Sequence, residues 1–271
     1  MVNHMKNALL CPVCGEALTF TEKTAVCPKR HSFDRAKEGS VNLILNGSAT
    51  SGDDPKMVTA RKNFLGCGHY DHLPQELYEE LLPYIKNGST VLDACCGEGY
   101  FTNKLAKSFS EADFYGFDLS KRAVRYAAKE AEGSVFFAAN ISSIPFADGS
   151  VDILTHIFAP VCDSEFFRIL KDDGIFVHVF PGKDHLMGIK ELLYEKTREN
   201  DEDPSVSDIF ELVSTKKISK EIMLDNKSLC DLLCMTPYFY RTPKDKLEEV
   251  MALPSAKTVT EFVINIYKKK I

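Results

Sequence analysis

Between residues 90 and 197 the chain alternates short apolar runs with segments of helical period: TVLDACC then YFTNKLAKSF, DFYGFDLS then KRAVRYAAKEA, SVFFAAN, VDILTHIF then SEFFRIL, and GIFVHVF then HLMGIKELLYEKT. Runs this apolar, with no polar residue at every second place, belong to strands covered on both faces, and the amphipathic segments between them supply the cover. The pattern predicts an α/β fold built on a mostly parallel sheet. After Asp201 it changes. KKISKEIML and KTVTEFVINIYKK read as strands, with helices NKSLCDLLCM and PKDKLEEVMAL between them, and would add an antiparallel edge.

A different constraint operates at the amino terminus, where Cys11, Cys14, Cys27 and His31 form a C-x2-C-x12-C-x3-H series. Three thiolates and an imidazole suit one tetrahedral Zn2+, and a closed shell of four protein ligands makes the site structural. Gly15 permits a tight turn after the first pair. Residues 8–35 then read as a zinc ribbon whose short extended pieces (LTF, TAVC, HSF) hang on the metal because they hold too few apolar residues for a core of their own. Disulfides are the competing use of such spacing. Nine cysteines are an odd count, and no secretory apolar segment follows Met1, so a reducing cytoplasm is the expected compartment. No run approaches the roughly 18 apolar residues of a membrane span.

The expected domains are a zinc ribbon over 1–36, a linker and connecting helix over 37–72, and the α/β domain over 73–271. VNLIL should pack on the ribbon or on the next domain. Asp53, Asp54 and Pro55 mark a helix start, an acidic cap with proline in the first turn, leading into KMVTARKNFL. A second helix, PQELYEELLPYI, follows GCGHYDHLP. The net charge of −6 argues against indiscriminate nucleic-acid binding, but residues 1–62 hold nine Lys/Arg against six Asp/Glu, a net of +3 that leaves −9 for the rest. A polyanion would meet the amino-terminal side more favourably.

A nucleotide-type cofactor site is written into the first strand and its turn. Asp93 is followed by Cys95, Cys96, Gly97, Glu98 and Gly99, where glycines let backbone lie against a ligand. Asp93 either caps that turn or touches the cofactor. Twenty-one residues past Gly97, Asp118 ends the second strand, where a carboxylate can take both hydroxyls of a ribose, and Asn140 and Ile141 end the third. A dinucleotide fingerprint would need a third glycine where Thr102 stands. The D-x-x-C-G-x-G form, with FDLS and SSIPFADGSVDIL, instead resembles the S-adenosylmethionine site of class I methyltransferases. That resemblance implies the methionine part at Gly97, Glu98 and Gly99, the ribose at Asp118 and the adenine at Asn140 and Ile141.

Across nearly the whole chain the sequence resembles the bacterial 23S rRNA guanine-N1 methyltransferases, in which a zinc ribbon precedes a class I methyltransferase domain. The strings that carry this are CPVC with CPKRHSFDRAKEGSVNLI, ARKNFLGCGHY, LDACCGEGYFT, IFAPV and PGKDHLMGIKELLY. The chain has LDACCGEG where the family more often has LDIGCGEG. The resemblance implies methyl transfer from S-adenosylmethionine to N1 of a guanine in a 23S rRNA hairpin, one structural Zn2+, and places for Tyr70 and His185 in the cofactor pocket. N1 of guanine carries a proton, so a base is needed near the methyl group. Asp184 and His185, beyond the end of a central strand, are the candidates, with the alternatives that His185 only lines the pocket and Asp184 only starts the next helix. His156 reads as a core histidine. Phe64, Tyr70 and Phe158 are candidates for stacking on the base, and Lys23, Lys29, Arg30, Arg35, Lys56, Arg61 and Lys62 for holding phosphates. Two other readings stay open: a small-molecule methyltransferase with the ribbon as a homodimer contact, and a non-catalytic RNA-binding protein.

Overall fold

The computed structural model describes residues 8–45, 54–202 and 205–271. Asp53 of the expected helix start lies outside them. The ribbon comprises β1 (Thr19–Phe20), β2 (Thr24–Val26) and β3 (Ser32–Asp34), an antiparallel sheet of three short strands. Next come β4 (Val41–Asn42), α1 (Pro55–Gly66), α2 (His72–Leu81), β5 (Thr90–Ala94), α3 (Tyr100–Ser108), β6 (Asp113–Asp118), α4 (Lys121–Lys129) and β7 (Val135–Ala138). The remainder is β8 (Val151–Ile157), α5 (Asp163–Ile169), β9 (Leu170–Pro181), α6 (Met187–Leu193), β10 (Phe210–Asp225), α7 (Asn226–Met235), α8 (Tyr238–Arg241), α9 (Lys244–Met251) and β11 (Ser255–Lys269).

Among the described residues the main sheet has eight strands in the order β10-β11-β9-β8-β5-β6-β7-β4. Strands β4 to β9 pair in parallel, and β11 adds to β9 antiparallel with β10 outside it, which is the expected antiparallel edge. β5 is buried at every position, as a central strand with two covered faces must be. The chain order reverses beside it, so the ends of β5, β6, β8 and β9 open a crevice of the kind that takes ligands in doubly wound sheets.

The two faces are covered differently. On one, leucines of α2, α6 and α7 pack on Val91, Ile153, Val177, Val179 and Phe262. On the other, α5 gives Phe166 and Ile169, and the ribbon gives Leu9, Leu18 and Ala25, all buried against Phe117, Phe137, Phe146 and Leu154. No helix joins β7 to β8 among the described residues, and the ribbon covers the sheet there, pinned by a hydrogen bond from the Leu10 amide to the Pro145 carbonyl (2.8 Å). Val41 and Leu43 are buried in the same core, and the Leu43 amide donates to the Ala138 carbonyl (2.9 Å). The stretch 37–72 is therefore more than a linker. It adds β4 to the sheet, and its helix α1, capped by Asp54 accepting from the Lys56 amide (2.7 Å), lies against α7 over the crevice.

Candidate active site and metal centre

The four sequence-predicted metal ligands converge. The side-chain donor atoms of Cys11, Cys14, Cys27 and His31 all lie within 4.8 Å of one another. Cys14 and Cys27 sulfurs are 3.6 Å apart, and His31 Nδ1 is 3.5 Å from Cys11 and 3.4 Å from Cys27. Tetrahedral Zn2+, with bonds of about 2.3 Å to sulfur and about 2.0 to 2.1 Å to nitrogen, has edges of about 3.6 to 3.8 Å, so this donor set fits that ion. Two turns build it. The Gly15 amide closes on the Cys11 carbonyl and the Arg30 amide on the Cys27 carbonyl, both at 2.8 Å, with Gly15 and Arg30 at φ +74° and +67°. Burial pushes the Cys27 thiol up, but hydrogen bonds from the His31 amide and the neighbouring ligands outweigh it and bring it down to about 7, toward the thiolate a metal needs.

At the carboxyl ends of β5 and β6 lies a cavity of about 300 Å3. Five of the residues singled out in the sequence, Asp93, Gly97, Glu98, Asp118 and Tyr70, line it together with Arg61, Phe101, Phe158 and Met235. Asp118 closes the glycine turn from the next strand: one carboxylate oxygen accepts from the Gly97 amide (3.0 Å) and the other from the Ser120 amide (2.8 Å). Gly99 caps α3 at φ +76°, where a Cβ would come within 2.6 Å of Ala127, so only glycine lets α4 pack this near. Cys95, at φ +59°, holds a left-handed conformation that glycine adopts at less cost.

Asp93 is 3% exposed, and both its oxygens are engaged, one by the Thr102 hydroxyl and one by the Thr155 hydroxyl (3.0 Å). Burial pushes its carboxyl up to about 6 against those two hydrogen bonds. It braces the turn from beneath while bordering the cavity. Asn140 and Ile141 stand past the end of β7 outside the cavity lining, and the side-chain Oδ1 of Asn140 accepts from the Ser142 amide and hydroxyl (3.1 and 3.0 Å).

A second cleft of about 980 Å3 adjoins the first and shares Arg61, Tyr70, Phe158, Ala159, Pro160 and Met235 with it. Phe180, Tyr238, His178 and His185 complete its aromatic wall. The loop after β8 is the partition: Phe158 is 39% exposed and sits at φ +58°, a strained position for an aromatic residue at the junction of two cavities.

His185 and Asp184 do not fit the role of base. The His185 Nδ1 accepts from the Glu261 amide (3.2 Å), which puts the ring proton on Nε2, 3.4 Å from the Tyr70 hydroxyl. With its one lone pair engaged and burial lowering it to about 3, His185 is a neutral donor that positions Tyr70. Asp184 is exposed, lies outside both cavity linings, and turns the chain into α6 through its carbonyl, which accepts from the Met187 amide (3.0 Å). Arg61 is set in the site itself. Its guanidinium is 4.0 Å from the buried Glu98 carboxylate, not out on a phosphate-facing surface. Arg61, Met235 and His178 escaped sequence reading as site residues because α1, α7 and β9 meet only in the folded chain.

A family model described as a methyltransferase domain matches residues 85–230, and one described as "RlmA, N-terminal", a zinc ribbon, matches residues 9–45. The 23S rRNA (guanine(748)-N(1))-methyltransferase of Streptomyces fradiae is 29% identical over 260 residues, 93% of each chain. YxjB of Bacillus subtilis (strain 168), named provisionally as a 23S rRNA (guanine-N(1)-)-methyltransferase, is 29% identical over 273 residues, 96% of each chain. The solved YcgJ protein of Bacillus subtilis superimposes with a TM-score of 0.50 at 17% identity, covering 74% of this chain and 100% of that one, a likeness of fold. With a methyltransferase-domain model matching more than half of its length, over the segment that holds the glycine turn and Asp118, the chain belongs to the methyltransferase-domain family.

Proposed function

We propose that this enzyme transfers the methyl group of S-adenosylmethionine to N1 of a guanine in a hairpin of 23S rRNA. The observation that carries the reading is the union, in one core, of an RlmA-type ribbon with a methyltransferase cavity that opens into an aromatic cleft large enough for a nucleotide. A loop guanine can leave its stack and enter such a cleft, with Phe158, Tyr70 or Tyr238 offering ring faces. Bound S-adenosylmethionine would supply an electrophilic methyl on sulfonium. In this reading Asp118 would accept hydroxyls of its ribose, the Gly97 turn would lie under its methionine part and the loop from Phe158 to Pro160 would set the direction of approach; that all of them line the two cavities supports it. The chain's contribution is alignment and exclusion of water.

Binding of the RNA backbone falls to the amino-terminal side. Lys23, Arg30 and Lys56 are exposed there. Lys29 pairs with Glu16 (3.6 Å), Lys62 with Glu130 (3.5 Å), and Arg35 bonds the Gly39 and Thr21 carbonyls, so these three are partly engaged within the protein. Leu9, Leu18 and Ala25 of the ribbon are buried in one core with the sheet, so its main apolar face is already covered within the chain, which favours an RNA role over the small-molecule reading. Label transfer to protein-free 23S rRNA, followed by primer extension, tests the proposal. A single arrest at a hairpin guanine is the expected result, and labelled RNA without an N1 block would overturn the position assignment.

A further inference from the structure

Helix α4 carries a charge pattern that its own stability does not account for. At about 3.6 residues per turn, Lys121, Arg122, Arg125 and Lys129 fall within an arc of about 100°, opposite the buried Ala123, Val124 and Ala127. All four cations are exposed, and no Asp or Glu stands between Lys121 and Lys129. Lys121 and Arg122 occupy the first turn, where the helix dipole disfavours positive charge, and no acid is there to offset them. Among the described residues no carboxylate pairs with Lys121, Arg122 or Lys129.

Neighbouring elements extend this face. The Lys62 ammonium of α1 lies 4.8 Å from the centre of the Tyr126 ring and the Arg122 guanidinium 5.6 Å from it, and Arg122 also donates to the Tyr126 hydroxyl (3.1 Å). One ring thus gathers two cations, and Glu130, 3.5 Å from Lys62, is the one carboxylate that pairs with either among the described residues. On the other flank Arg125 reaches Glu38, three residues before β4 (3.0 Å), and Lys37 beside it is exposed. The row therefore runs from α1, where the preceding Arg61 lines the cofactor cavity, across α4 to the segment between ribbon and sheet. Cations held side by side against their mutual repulsion, in a chain of net charge −6, are complementary to a partner whose negative charges are themselves strung in a line.

We infer that the exposed face of α4, flanked by Lys62 and Lys37, is a track for the phosphates of the RNA backbone. The inference rests on the proposed rRNA substrate. The track supplies what Lys29 and Arg35 of the ribbon, engaged within the protein, do not. On its buried side Ala127 of α4 packs at Gly99 of the cofactor turn, so RNA held on α4 is registered against the site of the methyl donor. Phosphate contacts position the strand, and the cleft selects the base.

Filter binding of protein-free 23S rRNA to the full zinc-bound chain, over a range of salt, tests this. Arg122→Glu with Lys129→Glu should weaken binding at least about tenfold and make the slope of log affinity against log salt shallower by about 1.4 to 1.8, since each phosphate contact contributes about 0.7 to 0.9. S-adenosylhomocysteine affinity should stay within about threefold, the modified guanine should not change, and saturating RNA should restore the single-turnover rate, because backbone contacts carry no sequence information. Lys244→Glu with Lys246→Glu on α9 makes the same change in net charge and should leave RNA affinity within about threefold, long-range attraction being screened by salt. Equal losses in the two pairs would reduce the effect to net charge and overturn the inference, as would a parental affinity and salt slope in the α4 pair. Arg122→Glu puts a carboxylate where the dipole favours it, so its unfolding midpoint should hold or rise; a lower midpoint with RNA binding intact would show that these cations serve the fold, and would also overturn it. A parent that binds rRNA but leaves guanine N1 unmethylated refutes the proposed reaction and not the track, whereas a parent that binds no rRNA refutes both.

Discussion

The metal centre and the larger cleft sit on the same sheet but are assembled in opposite ways. Four ligands between Cys11 and His31 converge through two local turns, so the ribbon's geometry is set by near neighbours in sequence and by one ion. The cleft draws Met57 and Arg61 from α1, Tyr70 from the loop before α2, Phe158 from the end of β8, His178 from β9, and Met235 and Tyr238 from the carboxyl-terminal third. A local site is legible and brittle: lose one ligand and nothing replaces it. A site gathered from the whole fold is tuned by packing and absorbs change by small movements, so most substitutions there should shift affinity without abolishing the structure.

The largest expected effect falls on the local site. Cys14→Ser, or removal of zinc by chelation, should lose the metal and unfold the ribbon, since structural zinc contributes about 10 kcal/mol or more to domains of this kind. Metal analysis and thermal unfolding measure it. Because Leu9 and Leu18 share a core with Phe117 and Phe137, the main transition should also fall by several degrees, and an unchanged main transition would show the two halves to be independent.

Next in size is a glycine at the joint between turn and helix. Gly99→Ala places a Cβ 2.6 Å from Ala127 at φ +76°, and should cost about 3 kcal/mol in denaturant unfolding while weakening the cofactor. A loss under about 1 kcal/mol would mean that α4 yields easily.

The buried Asp93 gives a pH signature. Its carboxyl is raised from an ordinary value of about 3.9 to about 6, so the protein holds the proton more tightly than the unfolded chain does. The associated stability is present below about pH 4 and is lost as pH rises through about 6. Asp93→Asn should therefore gain about 2 kcal/mol relative to the parent between pH 4 and pH 8, read from unfolding at both pH values. No relative change would show that the Thr102 and Thr155 hydrogen bonds fully offset burial.

Asp118→Ala should reduce S-adenosylmethionine affinity at least about tenfold by calorimetry, or about 1.4 kcal/mol. Part of that loss is indirect, since Asp118 also anchors the Gly97 amide. Unchanged affinity would remove Asp118 from the cofactor site. Smallest of all, Cys95→Gly should relieve left-handed strain and stabilise the protein by up to about 1 kcal/mol.

What the sequence revealed follows the same division. The alternation of apolar runs anticipates the parallel strands and the antiparallel pair, because burial on both faces leaves a one-dimensional trace. The ligand spacing anticipates the metal centre, since turn geometry is local. Asp93, Gly97 and Asp118 are legible because a turn and the end of the adjacent strand form a fixed supersecondary unit. The surroundings of His185 were not legible, because the Glu261 amide from which its Nδ1 accepts arrives from β11, 76 residues along the chain. Likewise 37–72 read as a connection because a two-residue strand and a helix with no strong apolar face leave little pattern.

The ribbon that covers the sheet between β7 and β8 also constrains how this chain can be inherited or cut. A catalytic half released from its ribbon would bare Phe117, Phe137 and Phe146, a sticky aromatic field on an otherwise finished domain. Such a fragment is a poor starting point for recombination or for expression by truncation, and a transplanted ribbon must bring Leu9 and Leu18 to the same places. Metal supply thereby sets the yield of folded protein during synthesis: in zinc-starved cells the chain should be lost to aggregation or proteolysis.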